Sequence, residues 1–214
     1  MQTAREQMIE QQVRAWEVLD ARVLDVMRRV PRELFVPGEQ RYRAYADVEV
    51  PLARGQHMLR PSVAGRLLQA LRPRASERVL EVGAGSGFIT ACLGALGAEV
   101  RSLEIFPELA EEASRNLAAF GLRDVEVVEA DALQEASGVR YDAIAVTASL
   151  PVYDARFERM LKVGGRLFIV VGEAPVMDAR LVRRTATDAC VTVSLFETVI
   201  DPLVNAARVP HFTF

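Results

Sequence analysis

The chain has 214 residues, half of them hydrophobic and 26% charged, a balance that suits a globular domain with a substantial core and excludes a low-complexity tract. A net charge of −3 with no dense basic run argues against nucleic acid as a partner, and no apolar stretch reaches membrane-spanning length or forms a signal-peptide core near residue 1. Two widely separated cysteines, Cys92 and Cys190, and two histidines, His57 and His211, predict no metal site and a reducing, cytoplasmic setting.

Charge is unevenly spread. Residues 1–75 hold 13 arginines against 9 acids, whereas 76–214 hold 13 basic and 20 acidic residues. The basic start either favours a carboxylate-bearing substrate or reflects an arginine-rich composition in which Lys162 is the only lysine. Met8, Ile9, Val13 and Trp16 recur at helical spacing and predict a helix over 3–17. Asp20 is placed to cap a second helix over 21–29, with Val23, Leu24, Met27 and Val30 on one face. Pro31 and Pro37 bracket a short turn of helix within 30–37. Residues 38–60 read as irregular. Pro61 then opens a helix to about residue 71, its Val63, Leu67, Leu68 and Leu71 facing inward.

After Pro73 strands alternate with helices. Strands are predicted over 78–82, 98–103, 125–129, 141–146 and 166–171, and helices over 87–96, 107–120 and 153–162. Runs such as 143–146 and 167–171 are continuously apolar, as expected of a parallel sheet covered on both faces. Residues 178–199 add two strand candidates, the stronger over 191–200, and the chain ends Val-Pro-His-Phe-Thr-Phe. The expected fold is α/β: a Rossmann-like, doubly wound, mostly parallel sheet with helices on both faces and an N-terminal helical extension. Pro73 marks a seam within one compact unit, between an extension with a substrate loop (1–73) and a cofactor-binding core (74–214).

The densest chemical signal is Val79-Leu80-Glu81-Val82-Gly83-Ala84-Gly85-Ser86-Gly87. Glycines without a Cβ let the backbone approach a ligand closely, and the helix that follows offers unpaired N–H groups. The spacing Gly83-x-Gly85-x-Gly87 is not the dinucleotide pattern, which makes a nicotinamide cofactor a poor fit. Glu81 closes the preceding strand, and Glu104, followed by Ile105, ends the next one where a carboxylate can accept both ribose hydroxyls. Asp131, followed by Ala132, comes after the third strand; it either accepts from an adenine amino group or caps the following turn. This set resembles the cofactor site of class I S-adenosyl-L-methionine methyltransferases, as does the Lys162-Val163-Gly164-Gly165 turn, with Val163 where that superfamily carries proline.

Outside the core, Met8-Ile9-Glu10-Gln11-Gln12-Val13, Val30-Pro31-Arg32-Glu33-Leu34-Phe35-Val36-Pro37, Ala44-Tyr45-Ala46-Asp47, Pro51-Leu52-Ala53-Arg54-Gly55-Gln56, Tyr141 to Ala148 and Asp201-Pro202-Leu203 follow in order. The succession resembles the protein-L-isoaspartate O-methyltransferase family over nearly the whole chain. The resemblance implies a metal-free enzyme that methylates the free carboxylate of isoaspartyl residues in damaged proteins or peptides. The ester then collapses to a succinimide that reopens to aspartate.

One segment departs from the family. Where the family reads Gly-Gln-Thr-Ile-Ser-x-Pro, this chain has Gly55-Gln56-His57-Met58-Leu59-Arg60-Pro61. Leu59 stands at the position of the substrate-contacting serine and has no proton to donate; loss of one such donor costs about 3 kcal/mol at a transition state. His57, Arg60 and Ser62 are the candidates to compensate, with Arg60 able to grip a carboxylate in a fork. Thr147 and Ala148 end the fourth strand, where substrate and methyl donor meet in an open α/β sheet. A methyltransferase with another acceptor, or a non-catalytic S-adenosylmethionine-binding protein, are the alternatives this departure leaves open.

Overall fold

The structure, a computed structural model, describes residues 2–135 and 138–208; the terminal 209–214, with His211, lie outside the described residues. The first helical stretch is one run of three pitches: α1 (Gln2–Met8), a π-turn over Ile9–Val13 and a 3-10 turn over Arg14–Trp16. It ends where Glu17 turns left-handed. α2 (Ala21–Arg29) starts at Asp20, whose carboxylate accepts from the Arg22 amide at 3.0 Å. The turn between prolines is a 3-10 turn, Arg32–Leu34.

The 38–60 segment carries more structure than expected. A 3-10 turn, Gly38–Arg43, leads to a small hairpin of β1 (Val50–Pro51) and β2 (His57–Met58). Strands of two residues have no alternation for periodicity to detect. α3 (Pro61–Leu71) has proline at its first position and Arg72 in a left-handed C-cap.

The remaining elements are β3 (Arg78–Val82), α4 (Phe88–Ala95), β4 (Glu99–Glu104), α5 (Pro107–Phe120), β5 (Val125–Glu129), β6 (Tyr141–Leu150), α6 (Arg156–Arg159), β7 (Leu161–Glu173), β8 (Val176–Ala186) and β9 (Ala189–Thr198). They form one sheet of order β5-β4-β3-β6-β7-β8-β9. The four pairings from β5 to β7 are parallel, and the two that add β8 and β9 are antiparallel. The helix predicted over 153–162 shrinks to α6. Tyr141 pairs with Leu161, and its amide donates to the Met160 carbonyl at 2.9 Å, so the chain is drawn into the sheet before a longer helix can form.

Alternate strand residues face opposite cores. Val79, Ala143 and Phe168 join Val13, Met27, Leu67 and Leu71 beneath the N-terminal helices. Leu80, Ile144 and Leu167 join Phe157 of α6 and Ala132 on the other side. β3 lies between β4 and β6, so the connections leaving the carboxyl ends of these strands part and open a crevice. Among the described residues no helix is long and apolar enough to cross a membrane.

Candidate active site

β3 delivers the chain into the glycine loop, where Gly83, Gly85 and Gly87 all have positive φ. Gly83 (φ 93°) is the most constrained: a Cβ there would lie 2.5 Å from Thr147 Oγ1. Thr147, on β6, holds that approach by donating to the carbonyls of Val82 at 2.9 Å and Gly83 at 2.7 Å. Gly87 answers to packing instead, since its Cβ would meet the Ala113 backbone of α5 at 3.2 Å.

Glu104 ends β4 almost wholly buried. Its Oε2 accepts from the Gly85 amide at 2.8 Å and its Oε1 from the Phe106 amide at 3.1 Å. These bonds aim the carboxylate, and each oxygen keeps a lone pair for a hydroxyl donor. Asp131 is more fully spent: Oδ1 accepts from the Leu133 amide at 2.9 Å, and Oδ2 from the side chains of Gln134 at 3.1 Å and Asn205 at 3.0 Å. It caps its turn and lines the cleft as well, beside Ala132 and Ile105.

Glu81 lies under the loop, away from the cleft. It is fully buried and accepts the Thr90 hydroxyl at 2.5 Å and the Ser102 hydroxyl at 2.6 Å. Burial pushes its carboxyl up to about 7, against the pull of those two hydroxyls.

The cleft, about 720 Å³ including its open mouth, runs from Glu104 and Gly83 to residues of the hairpin and of the 200–204 segment. His57 Nδ1 lies 2.8 Å from Asp201 Oδ2, a pairing across 144 positions. β6 pins the Asp201 strap: the Ser149 amide donates to the Asp201 carbonyl at 2.8 Å and the Leu203 amide to the Ser149 carbonyl at 2.7 Å. Glu49 lines the same wall, its carboxyl held above the usual range by burial and by the Asp201 charge, with Arg60 and His57 opposing. Leu59 and Thr147 line the cleft; Arg60 does not, and sits at the N-cap of α3. Ser62 is occupied elsewhere, its amide and hydroxyl both donating to Asp47 at 2.9 Å.

The model of the family "Protein-L-isoaspartate(D-aspartate) O-methyltransferase" matches residues 3–207. The chain is 41% identical over 184 residues to the protein-L-isoaspartate O-methyltransferase 1 of Rhodopseudomonas palustris (strain HaA2), covering 86% of this chain and 75% of that one. The chain belongs to this methyltransferase family. It is also 41% identical to the protein-L-isoaspartate O-methyltransferase of Aeropyrum pernix, over 85% of this chain and 72% of that one. A solved Plasmodium falciparum structure, described as a candidate member in complex with S-adenosyl-L-homocysteine, overlays with a TM-score of 0.80 over 93% of this chain and 97% of that one. At 19% identity it speaks for the fold.

Of the residues predicted for the site of this family member, the structure gathers His57, Leu59, Gly83, Gly85, Glu104, Ile105, Asp131, Ala132 and Thr147 around one cleft. Ala84 lines a side extension of it, while Glu81, Gly87 and Arg60 stand behind the walls. Sequence reasoning assigned no role to Asp201, Glu49 or Arg32. Asp201 carries no local signal, because its partner His57 is brought to it only by the fold. Arg32 lies between Pro31 and Pro37, where no neighbouring residue shows that its side chain turns inward.

Proposed function

We propose that this chain transfers a methyl group from S-adenosylmethionine to the free carboxylate of isoaspartyl residues in damaged proteins or peptides. The observation that carries the proposal is a single cleft that joins the Glu104 carboxylate and the Gly83 cradle to the His57–Asp201 pair. The residues fit the cofactor. Glu104 has lone pairs for the ribose hydroxyls, and a Cβ at Gly83 would fill the cradle. The Gly85 amide, spent on Glu104, is not free to bind a pyrophosphate as a dinucleotide loop would. Four carboxylates, of Glu49, Glu104, Asp131 and Asp201, line the cleft and favour a sulfonium cation over a phosphate-bearing ligand. Ile105, Ala132 and Ala84 complete that wall, with Glu81 and Gly87 shaping the loop from beneath.

When bound, the cofactor supplies an electrophilic methyl group on sulfur. An ionised carboxylate needs no base to attack it, so positioning and exclusion of water are what the chain has to provide. Leu59 offers no donor for that carboxylate. His57 has a ring nitrogen to offer: with Nδ1 on Asp201, its Nε2 is left for the acceptor. Arg60, behind the wall, adds positive charge near Glu49. Thr147 shapes the point where acceptor and methyl group meet. Residues 1–73 thus supply the hairpin of the acceptor side and 74–214 the cofactor side, with the Asp201 strap crossing over. Two free cysteines, Cys92 buried and Cys190 half-buried, support a reducing, cytoplasmic setting.

The His57–Asp201 geometry favours one second reading, an acceptor hydroxyl whose proton passes to Nε2. Methyl transfer to matched isoaspartyl and aspartyl peptides, with S-adenosylhomocysteine binding measured in parallel, tests both. Saturable transfer to the isoaspartyl isomer alone is expected. Cofactor binding with no transfer to the isoaspartyl peptide would contradict the proposal and direct attention to hydroxyl acceptors.

A further inference from the structure

Arg32 is 1% exposed, an uncommon place for a guanidinium. Its Nη2 donates to the Leu59 carbonyl at 2.8 Å, and its guanidinium carbon lies 4.9 Å from the centre of the Phe88 ring. Nε and Nη1, both buried, have no acceptor among the described residues. Of the two groups that act on it by charge, Asp47 accepts from Ser62 and makes no hydrogen bond to Arg32, and burial keeps the Cys92 thiol protonated. Burial lowers the pKa of Arg32 to about 10, which leaves it charged at neutral pH. A buried cation with unspent donors is costly unless an anion meets it.

Arg32 lies at the edge of the cleft. With Leu59, Gly83, Ala84, Ser86 and Phe88 it lines a smaller extension, about 340 Å³ including its open side. The extension shares His57, Leu59, Gly83 and Thr147 with the main cleft and runs along the glycine loop.

We propose that Arg32 is a carboxylate anchor, holding the carboxylate at the methionyl end of the cofactor through the donors it does not spend on Leu59. The inference rests on the reading of the cleft as an S-adenosylmethionine site. With the ribose at Glu104, the methionyl chain would have to extend along the cleft, which is continuous with the extension at Gly83, Gly85 and Thr147, and its carboxylate is the only anion the molecule has. The walls of the extension include that loop, His57, Leu59 and Phe88, and Arg32 is the guanidinium cation among them. A peptide-borne carboxylate has its own place at the open mouth, beside His57. The bond from Arg32 to the Leu59 carbonyl adds a consequence: the group that anchors the cofactor also braces the segment that receives the acceptor.

The test compares S-adenosylhomocysteine with 5′-methylthioadenosine, which keeps the adenosine and thioether but lacks the amino-acid end, by calorimetry on the full chain. Arg32→Gln is expected to weaken S-adenosylhomocysteine about a hundredfold and methylthioadenosine less than about threefold. Arg32→Lys, which keeps the charge, falls between. Equal weakening of both ligands would reduce Arg32 to a packing role. Unchanged S-adenosylhomocysteine affinity with a raised KM for an isoaspartyl peptide would give the anchor to the acceptor, and either result overturns the proposal. Should Arg32→Gln fail to fold, Arg32→Lys decides, because an unchanged affinity ratio of the two ligands contradicts the assignment. Failure of both ligands to bind the native chain would overturn the cofactor reading, and this inference with it.

Discussion

The two walls of the cleft are built in different ways. The cofactor wall consists of strand ends and the turns that follow them: Gly83 after β3, Glu104 at the end of β4 and Asp131 after β5. Gly83 and Glu104 are held by bonds to residues a few positions away or on the adjacent strand, while Asp131 is held by its own turn and by Asn205 of the C-terminal strap. The acceptor wall consists of a two-residue-per-strand hairpin and a C-terminal strap, joined by one pair across 144 positions. The first wall is built on the ends of paired strands. The second depends on a few long-range contacts, and it carries Leu59 and His57. A scaffold of this kind lets an acceptor site change while the cofactor site stays intact.

The contrast breaks most readily at Gly83. Gly83→Ala places a methyl group 2.5 Å from Thr147 Oγ1 in left-handed backbone. It is expected to cost about 4 kcal/mol of stability and to abolish cofactor binding. Denaturant unfolding and calorimetry check both effects, and Thr147→Ala in the same chain should recover part of the loss. Unchanged stability would show that the cradle is looser than its geometry.

Glu81 sharpens the contrast from beneath the same wall. Its carboxyl titrates near 7 when folded and near 4.5 when unfolded, so the folded state holds the proton longer. Below about pH 4.5 both states are protonated. As pH rises from there through 7, the unfolded state ionises first and folding loses on the order of 3 kcal/mol. The stability of the native chain should therefore fall between pH 5 and pH 8 relative to Glu81→Gln, as measured by urea unfolding at both pH values. Parallel pH profiles for the two proteins would contradict the burial argument.

The same division explains what the sequence discloses. The helix opened by Pro61, the cap at Asp20 and the strands around the glycine loop are all local: apolar runs, proline at a first turn, glycines where φ is positive. They emerge as predicted, with β4 displaced by one residue. Glu104 is legible because its place at a strand end is a matter of counting along the chain. The helix expected over 153–162 misleads, because pairing of Leu161 with Tyr141 overrides local propensity. Asp131 has two readings that only its three donors decide. Asp201 and Arg32 were silent for a related reason: one matters through a distant partner, the other through burial, and neither property is written in neighbouring residues.

If the two walls are separable, a crossed pair of variants must show it. The decisive measurement is the S-adenosylhomocysteine Kd alongside the isoaspartyl-peptide KM at saturating cofactor, in Glu104→Gln and His57→Gln. Glu104→Gln is predicted to weaken the cofactor about thirtyfold and to leave the peptide KM within about threefold. His57→Gln is predicted to raise the peptide KM about tenfold and to leave the cofactor Kd within about threefold. Comparable shifts of both quantities in both variants would contradict the account of one cleft with two independently built walls.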